Sequence, residues 1–207
     1  MCPRASSPSV RESKKEAIRA ALISAARDLF SEKPYSEVTL EEIADRASFH
    51  VQTLYRHFKN KVNLALAIDI FGHEGISRLL MDPDRTEDIR TIWRNDRLGY
   101  FSQLTGTELK KEYLQLGDMI SSIPPLKAQS LARWKKTETL LAVNIAKDSN
   151  TSLDDNMAPR LLAAMLVSSH LEVMRRWAAS DGTLNARALY EDTLDTIDRL
   201  FSHSEAL

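Results

Sequence analysis

Thr53-Leu54-Tyr55-Arg56-His57-Phe58, followed by Lys61 and Leu64, is the stretch on which the reading of this chain turns. Leu54 and Phe58 are four apart and anchor one face of a short helix inward. Tyr55 and His57 fall on its polar side, within reach of a phosphate. Asn60 reads as the N-cap of a fourth helix, which puts Lys61 in that helix's first turn. A cation is disfavoured at the positive end of a helix dipole unless an anion offsets it, so Lys61 is expected beside a DNA phosphate. Upstream, Thr39-Leu40-Glu41-Glu42 has the form of a capping box. The short helix it opens turns Leu40, Ile43, Ala44 and Ala47 inward, and its N-terminus, at Thr39, is expected to face a phosphate. A turn at Ala47-Ser48-Phe49 separates it from the helix over 50–57. Two short helices joined this way form a helix-turn-helix, here at about 38–58.

The second of those helices would enter the major groove. His50, Val51, Gln52 and Thr53 make its first turn and are the expected base readers. Gln52 can pair bidentately with adenine, and Val51 and the Thr53 methyl can touch a thymine methyl. His50 stands equally where a cap would stand. Further upstream, Ser13 and Glu16 have capping-box spacing, and Ile18, Leu22, Ala25 and Leu29 keep a 4-3-4 apolar rhythm until Pro34 stops the helix. Residues 1–11, with two prolines and several serines, read as a flexible basic arm. Arg11, Lys14 and Lys15 are placed to reach the DNA backbone or the adjacent minor groove. Residues 1–64 carry a net +3 and residues 65–207 a net −4, a polarity that suits phosphate binding at the N-terminal end.

Downstream, apolar spacing carries the fourth helix from Asn60 through Leu64, Ile68, Phe71 and Leu79 to Asp82-Pro83. Five more helices follow, at about 86–104, 107–121, 125–147, 157–180 and 185–203. The expectation is an all-α chain of about nine helices. Its DNA-binding domain spans 12–64, and a ligand-binding and dimerisation domain spans 65–207. Residues 161–167 are apolar all round and must be covered on more than one side. With the ridge Leu189, Thr193, Ile197 and Leu200, they point to a four-helix bundle between two copies of the chain. Leu162, Leu166, Leu189, Ile197 and Leu200 are the expected interface. Two reading heads paired in this way imply a near-palindromic operator.

The 207 residues are 43% hydrophobic, enough for a sizeable core. No apolar run approaches the ~20 residues of a membrane helix, and the N-terminus has no apolar signal core, so the chain reads as cytoplasmic and without a membrane partner. The single cysteine, Cys2, forms no internal disulfide. A glycine-rich phosphate loop, a nucleophile elbow and paired cysteines are all missing, and His73-Glu74 lacks the second histidine of a zinc motif. No catalytic residue, metal ligand or cofactor is expected.

Residues 18–64 resemble the TetR family of transcriptional regulators. The resemblance rests on Ile18, Ala25, Ala26, Leu29, Phe30, Tyr35, Thr39, Ile43, Ala44, Ala47, Thr53, Leu54, Tyr55, His57, Phe58, Lys61 and Leu64. Three positions depart from the family pattern. Pro34 and Ser48 stand where glycines are usual, and Gln52 where a small residue is. The resemblance implies a ligand cavity among the later helices, lined by Trp93, Tyr113 and Trp134 with His170 as a polar contributor, for an apolar or aromatic effector. It further implies that the effector shifts the fourth helix. The function so read is a DNA-binding transcriptional regulator, a ligand-released repressor acting as a homodimer. The alternatives are an activator of the same fold, or a helical enzyme or adaptor without DNA binding.

Overall fold

The computed structural model describes residues 10–104 and 107–202. These form ten helices: α1 (Val10–Glu32), α2 (Leu40–Arg46), α3 (Val51–His57), α4 (Lys61–Leu66), α5 (His73–Leu80), α6 (Ile89–Gln103), α7 (Thr107–Ser122), α8 (Pro124–Asp148), α9 (Ala158–Ala179) and α10 (Ala186–Ser202). No strand is present among the described residues. The chain divides into two units after Ile68, four residues beyond the sequence-based boundary. Residues 1–9 of the expected arm, with Cys2, lie outside the described residues, and Val10 and Arg11 already belong to α1. Ser13 and Glu16 therefore sit inside that helix and do not cap its start.

The first unit packs α1 on α2 and α4, and α2 on α3. Leu22, Ala26, Ile43, Ala44, Leu54 and Leu64 are fully buried in it. The Thr39–Glu42 capping box is present in both directions: the Thr39 side chain accepts from Glu42 N at 3.1 Å, and Thr39 N donates to the Glu42 carboxylate at 2.8 Å. α2 ends in a Schellman motif, with Phe49 N donating to Ala44 O and Ser48 N to Asp45 O, both at 2.9 Å. That motif puts Ser48 at φ +61°, left-handed. A serine there costs roughly 1–2 kcal/mol, which glycine would avoid. Asn60 caps α4 by accepting from Asn63 N at 2.9 Å.

The continuous fourth helix expected over 60–82 is broken. α4 stops at Leu66 and α5 starts at His73. Between them Asp69 (φ +56°) and Gly72 (φ +66°) are left-handed, which no helix accommodates. The Asp69 carboxylate then accepts from His73 N and Glu74 N at 2.8 Å each, capping the new helix. Two carbonyls freed by the break, those of Ile70 and Phe71, are taken by α6 side chains, which also reach the Gly72 carbonyl, already bonded to Ile76 N at 3.2 Å. Tyr100 Oη donates to Ile70 O at 2.9 Å, and the Arg97 guanidinium donates to Phe71 O at 2.9 Å and Gly72 O at 3.1 Å.

In the second unit α9 packs between α8 and α10, and α6 lies against α5, α8 and α10. The core holds Trp93, Phe101, Trp134, Leu141, Leu162, Ala163, Leu166, Trp177, Tyr190 and Ile197. This corrects the expected dimer ridge. Leu162, Leu166 and Ile197 are each only 4% exposed within their own chain, and Leu189 packs partly against the same core. A helix apolar on two sides offers two candidate inner faces, and the sequence ridge followed the one that faces home. Of the five residues only Leu200, at 59% exposed, faces outward.

Candidate functional site

The recognition helix α3 is held by its apolar side. Leu54 and Phe58 are buried, and the Arg19 guanidinium of α1 lies over the Phe58 ring at 4.7 Å. This fixes which residues α3 presents outward. Gln52 and Arg56 are exposed, and Tyr55 is 53% exposed despite its large ring. Val51, Thr53 and His57 are half-buried. His50 is the N-cap of α3 by its backbone, but its side chain makes no capping hydrogen bond and is exposed. Lys14 and Lys15 are exposed on α1. The His57 imidazole is held below its usual pKa, first by burial and then by the positive charges of Lys15 and Arg19. α1 and α3 thus share an electropositive field around His57, such as a phosphate would meet.

Two residues expected at phosphates, Lys61 and Thr39, make hydrogen bonds within the protein. Lys61 Nζ donates to Tyr35 O at 2.7 Å and Val38 O at 2.8 Å, and lies 4.2 Å from the centre of the Tyr35 ring. These carbonyls and the ring supply a negative partner for the ammonium within the protein. Burial lowers the Lys61 pKa. At the start of α2, the Glu42 carboxylate accepts from Thr39 N–H at 2.8 Å. The Lys33 side chain and the Thr39 N–H hold the Glu42 pKa down at about 2. Thr39 is a structural cap, and a fixed carboxylate beside it opposes a second anion.

The second unit has an aromatic centre around His170, which is fully buried on α9. Ring centroids of Trp134, Phe101, Tyr100, Tyr190 and Trp93 lie 4.7, 5.3, 5.5, 6.0 and 6.5 Å from it. Three of the four expected ligand residues, Trp93, Trp134 and His170, therefore meet. The fourth, Tyr113, is half-buried at its edge, 6.1 Å from the Tyr100 ring. Trp93 Nε1 donates to Tyr190 Oη at 2.8 Å. His170 is held well below its usual pKa, by burial first and then by Arg97 and His73, and is neutral at pH 7. His73, whose ring lies 3.9 Å from that of Trp134, is lowered to about 3 by burial, Arg133 and Arg97.

Sequence reasoning missed two members of this centre. In the sequence His73 stands out only as the first residue of an incomplete zinc motif, His73-Glu74. Arg97, a charged residue 1% exposed, carries no signal of burial in its own neighbourhood of sequence. It pairs with Asp96 next to it and lies over the rings of Tyr100 and Trp93 at 5.2 and 5.6 Å.

Against known proteins, residues 22–68 match the model of the bacterial regulatory proteins of the tetR family, and residues 106–202 match the MftR C-terminal domain. The chain belongs to the TetR family. This TetR-family chain is 27% identical over 201 residues to the HTH-type transcriptional regulator TcmR of Streptomyces glaucescens, covering 92% of itself and 87% of that protein. It is 25% identical over 181 residues to the HTH-type transcriptional activator FasR of Mycolicibacterium smegmatis, covering 85% and 79%. Its fold is similar to that of NalD, the secondary repressor of the MexAB-OprM multidrug efflux pump in Pseudomonas aeruginosa, with a TM-score of 0.60 at 22% identity over 89% of this chain and 96% of that one. A structure of SmeT in complex with triclosan gives a TM-score of 0.64 at 21% identity, covering 87% and 90%. The protein is a DNA-binding transcriptional regulator. No described helix is long and apolar enough to cross a membrane.

Proposed function

We propose that the chain is a homodimeric repressor that leaves a near-palindromic operator when a small apolar or aromatic molecule binds in its second unit. The observation that carries the DNA contact is the outward row of α3. Gln52 and Tyr55 are exposed beside half-buried Thr53 and His57, while Leu54 and Phe58 lock the helix from behind. Val51, Gln52 and Thr53, with His50 at the cap, read base edges. Tyr55, His57, Lys14 and Lys15 contact the backbone. Lys61 and Thr39 act from within, by setting the turn that presents α3.

The dimer forms through the outer faces of α9 and α10. Leu161 is 55% exposed and Leu200 59%, with Leu189 and Thr193 half-buried on the same side of α10 as Leu200. Covering this face removes exposed apolar surface at roughly 25 cal/mol per Å². Pairing two copies sets the α3 helices about 34–36 Å apart, one turn of DNA. The effector enters the aromatic centre around His170, where Trp93 and Trp134 supply apolar walls and His170 the polar atoms. SmeT, of similar fold, was crystallised with triclosan, a small aromatic molecule. Sedimentation of Leu161→Asp/Leu200→Asp tests the dimer: the variant is expected to be monomeric, folded, and much weaker on a palindromic site. A variant that stays dimeric would move the interface elsewhere.

A further inference from the structure

One buried side chain fixes which way α3 faces. Leu54 is fully buried, and successive residues of an α-helix are turned by about 100°. Val51 and His57 therefore stand about 60° from Leu54 around the helix axis, Thr53 and Tyr55 about 100°, and Gln52 and Arg56 about 160°. Burial follows this order. Val51, Thr53 and His57 are half-buried, while Gln52, Tyr55 and Arg56 are exposed. The outermost ridge of α3 is the pair Gln52 and Arg56, four residues apart and on one face.

Arg56 has no task within its own chain. No Asp or Glu occurs between Asp45 and Asp69. Other exposed guanidiniums are paired, Arg46 with Glu32, Arg90 with Asp198 and Arg175 with Glu172. No hydrogen bond or ion pair engages the Arg56 side chain among the described residues. Its planar fork of N–H donors stands at the front of the helix, unpaired.

We propose that Arg56 is a second base reader, which selects a guanine one helical turn beyond the adenine met by Gln52; this rests on α3 being the recognition helix. The donor inventory sets the base. In the major groove guanine presents two acceptors, N7 and O6. Adenine presents one acceptor and one donor, thymine one acceptor and a methyl group, and cytosine a donor. Guanine alone satisfies a fork of donors twice. Four residues advance about 6 Å along the helix, about two base-pair steps of ~3.4 Å. Each half of the operator therefore carries an adenine and a guanine about two base pairs apart. Readers four residues apart on one helix recur in major-groove recognition.

The flanking residues suit this placement. With the Gln52–Arg56 ridge on the floor of the groove, Tyr55 and His57 lie to either side of it, toward the walls where the phosphates run. Arg56 then meets base edges while its neighbours hold the backbone.

The test selects duplexes from a randomised library with the full chain, as wild type and as Arg56→Gln. Wild type is expected to select a guanine about two base pairs from an adenine in each half-site. Arg56→Gln carries an amide that matches adenine, so the guanine should change to adenine or lose its preference, with the adenine assigned to Gln52 unmoved. A second measurement needs no variant. Replacing the selected guanine by 7-deazaguanine, which lacks N7, should weaken wild type at least about fivefold per half-site and Arg56→Gln less than about twofold. A guanine preference that survives Arg56→Gln, or unchanged wild-type affinity for the 7-deazaguanine duplex, overturns the assignment and leaves α3 standing as the reading helix. So does an equal loss on every duplex with the salt slope lowered by about one per half-site, the mark of a phosphate contact. If wild type selects no sequence at all, base reading by α3 falls as well.

Discussion

Replacing Arg97 with methionine tests the break between α4 and α5 at the point where it is held. The methionine keeps much of the volume and removes the guanidinium. Phe71 O then loses its donor, Gly72 O keeps only the bond from Ile76 N, and Asp96 loses its partner. Hydrogen bonds from a charged group are worth roughly 1.5–3 kcal/mol each, so the two carbonyls set a loss of about 3–6 kcal/mol. The Asp96 side chain keeps 20% exposure and can turn to water, so its share is small. Cation–π contact with Tyr100 and Trp93 adds somewhat less than the hydrogen bonds. Some of this returns because the wild-type charge is itself costly to bury. The net expectation is a loss of about 3–4 kcal/mol of stability in the second unit. All three tryptophans lie in that unit, so urea unfolding followed by tryptophan fluorescence reports on it. Arg97→Lys should lose nearly as much, because an ammonium lacks the planar fork that reaches both carbonyls. A loss below about 1 kcal/mol in Arg97→Met would refute the claim that the guanidinium holds the connector.

Further expectations concern single positions. Ser48→Gly relieves the left-handed serine in the α2–α3 turn and should raise the stability of the first unit by about 0.5–1 kcal/mol, seen as a higher urea midpoint with unchanged slope; a loss would show that the serine side chain contributes more than its backbone strain. Lys61→Met leaves Tyr35 O and Val38 O without their donor, and should cost about 1–3 kcal/mol of stability while leaving the salt dependence of DNA binding unchanged. A salt slope lowered by about one per half-site would restore Lys61 as a phosphate ligand. His73 and His170 have folded pKa values below 6.5, so the unfolded chain takes up about two protons that the folded chain does not. Stability from these groups is complete above pH 6.5 and falls on acidification, with a slope approaching about 2.7 kcal/mol per pH unit between pH 6 and 5. His170→Leu should halve that slope in denaturation series across this range, and a slope that does not change would show that His170 is protonated in the fold.

The first unit was the more legible half because its signals are local. A capping box spans four residues, and Thr39–Glu42 and Asn60 formed the caps their spacing announced. Leu54 and Phe58 sit one helical turn apart and bury as that spacing requires. Where the sequence misled, the deciding partner was distant or the pattern had two solutions. Lys61 is bound by carbonyls 23 and 26 residues earlier in the chain, so only the helix dipole was visible from its neighbours. The apolar rhythm of Leu64, Ile68, Phe71 and Leu79 continues through the α4–α5 break, and periodicity does not register a left-handed Asp69 or Gly72. In α10, Ile197 and Thr196 are adjacent, and the more apolar of the two turned toward its own core. The row of His73, Trp134 and His170 draws on α5, α8 and α9, which only the folded chain brings together.

Presentation of α3 to base edges is the central claim, and a salt titration of wild type and Gln52→Ala tests it most directly. The duplexes are an operator selected from a randomised library with the wild-type protein and a scrambled version of it. Wild type should show affinity falling steeply with salt on both, from its phosphate contacts. Gln52→Ala should lose about 1–3 kcal/mol on the operator and almost nothing on the scrambled duplex, with the salt slope unchanged. Equal losses on both duplexes, or no loss on the operator, would contradict the assignment of α3's outward row as the reading surface.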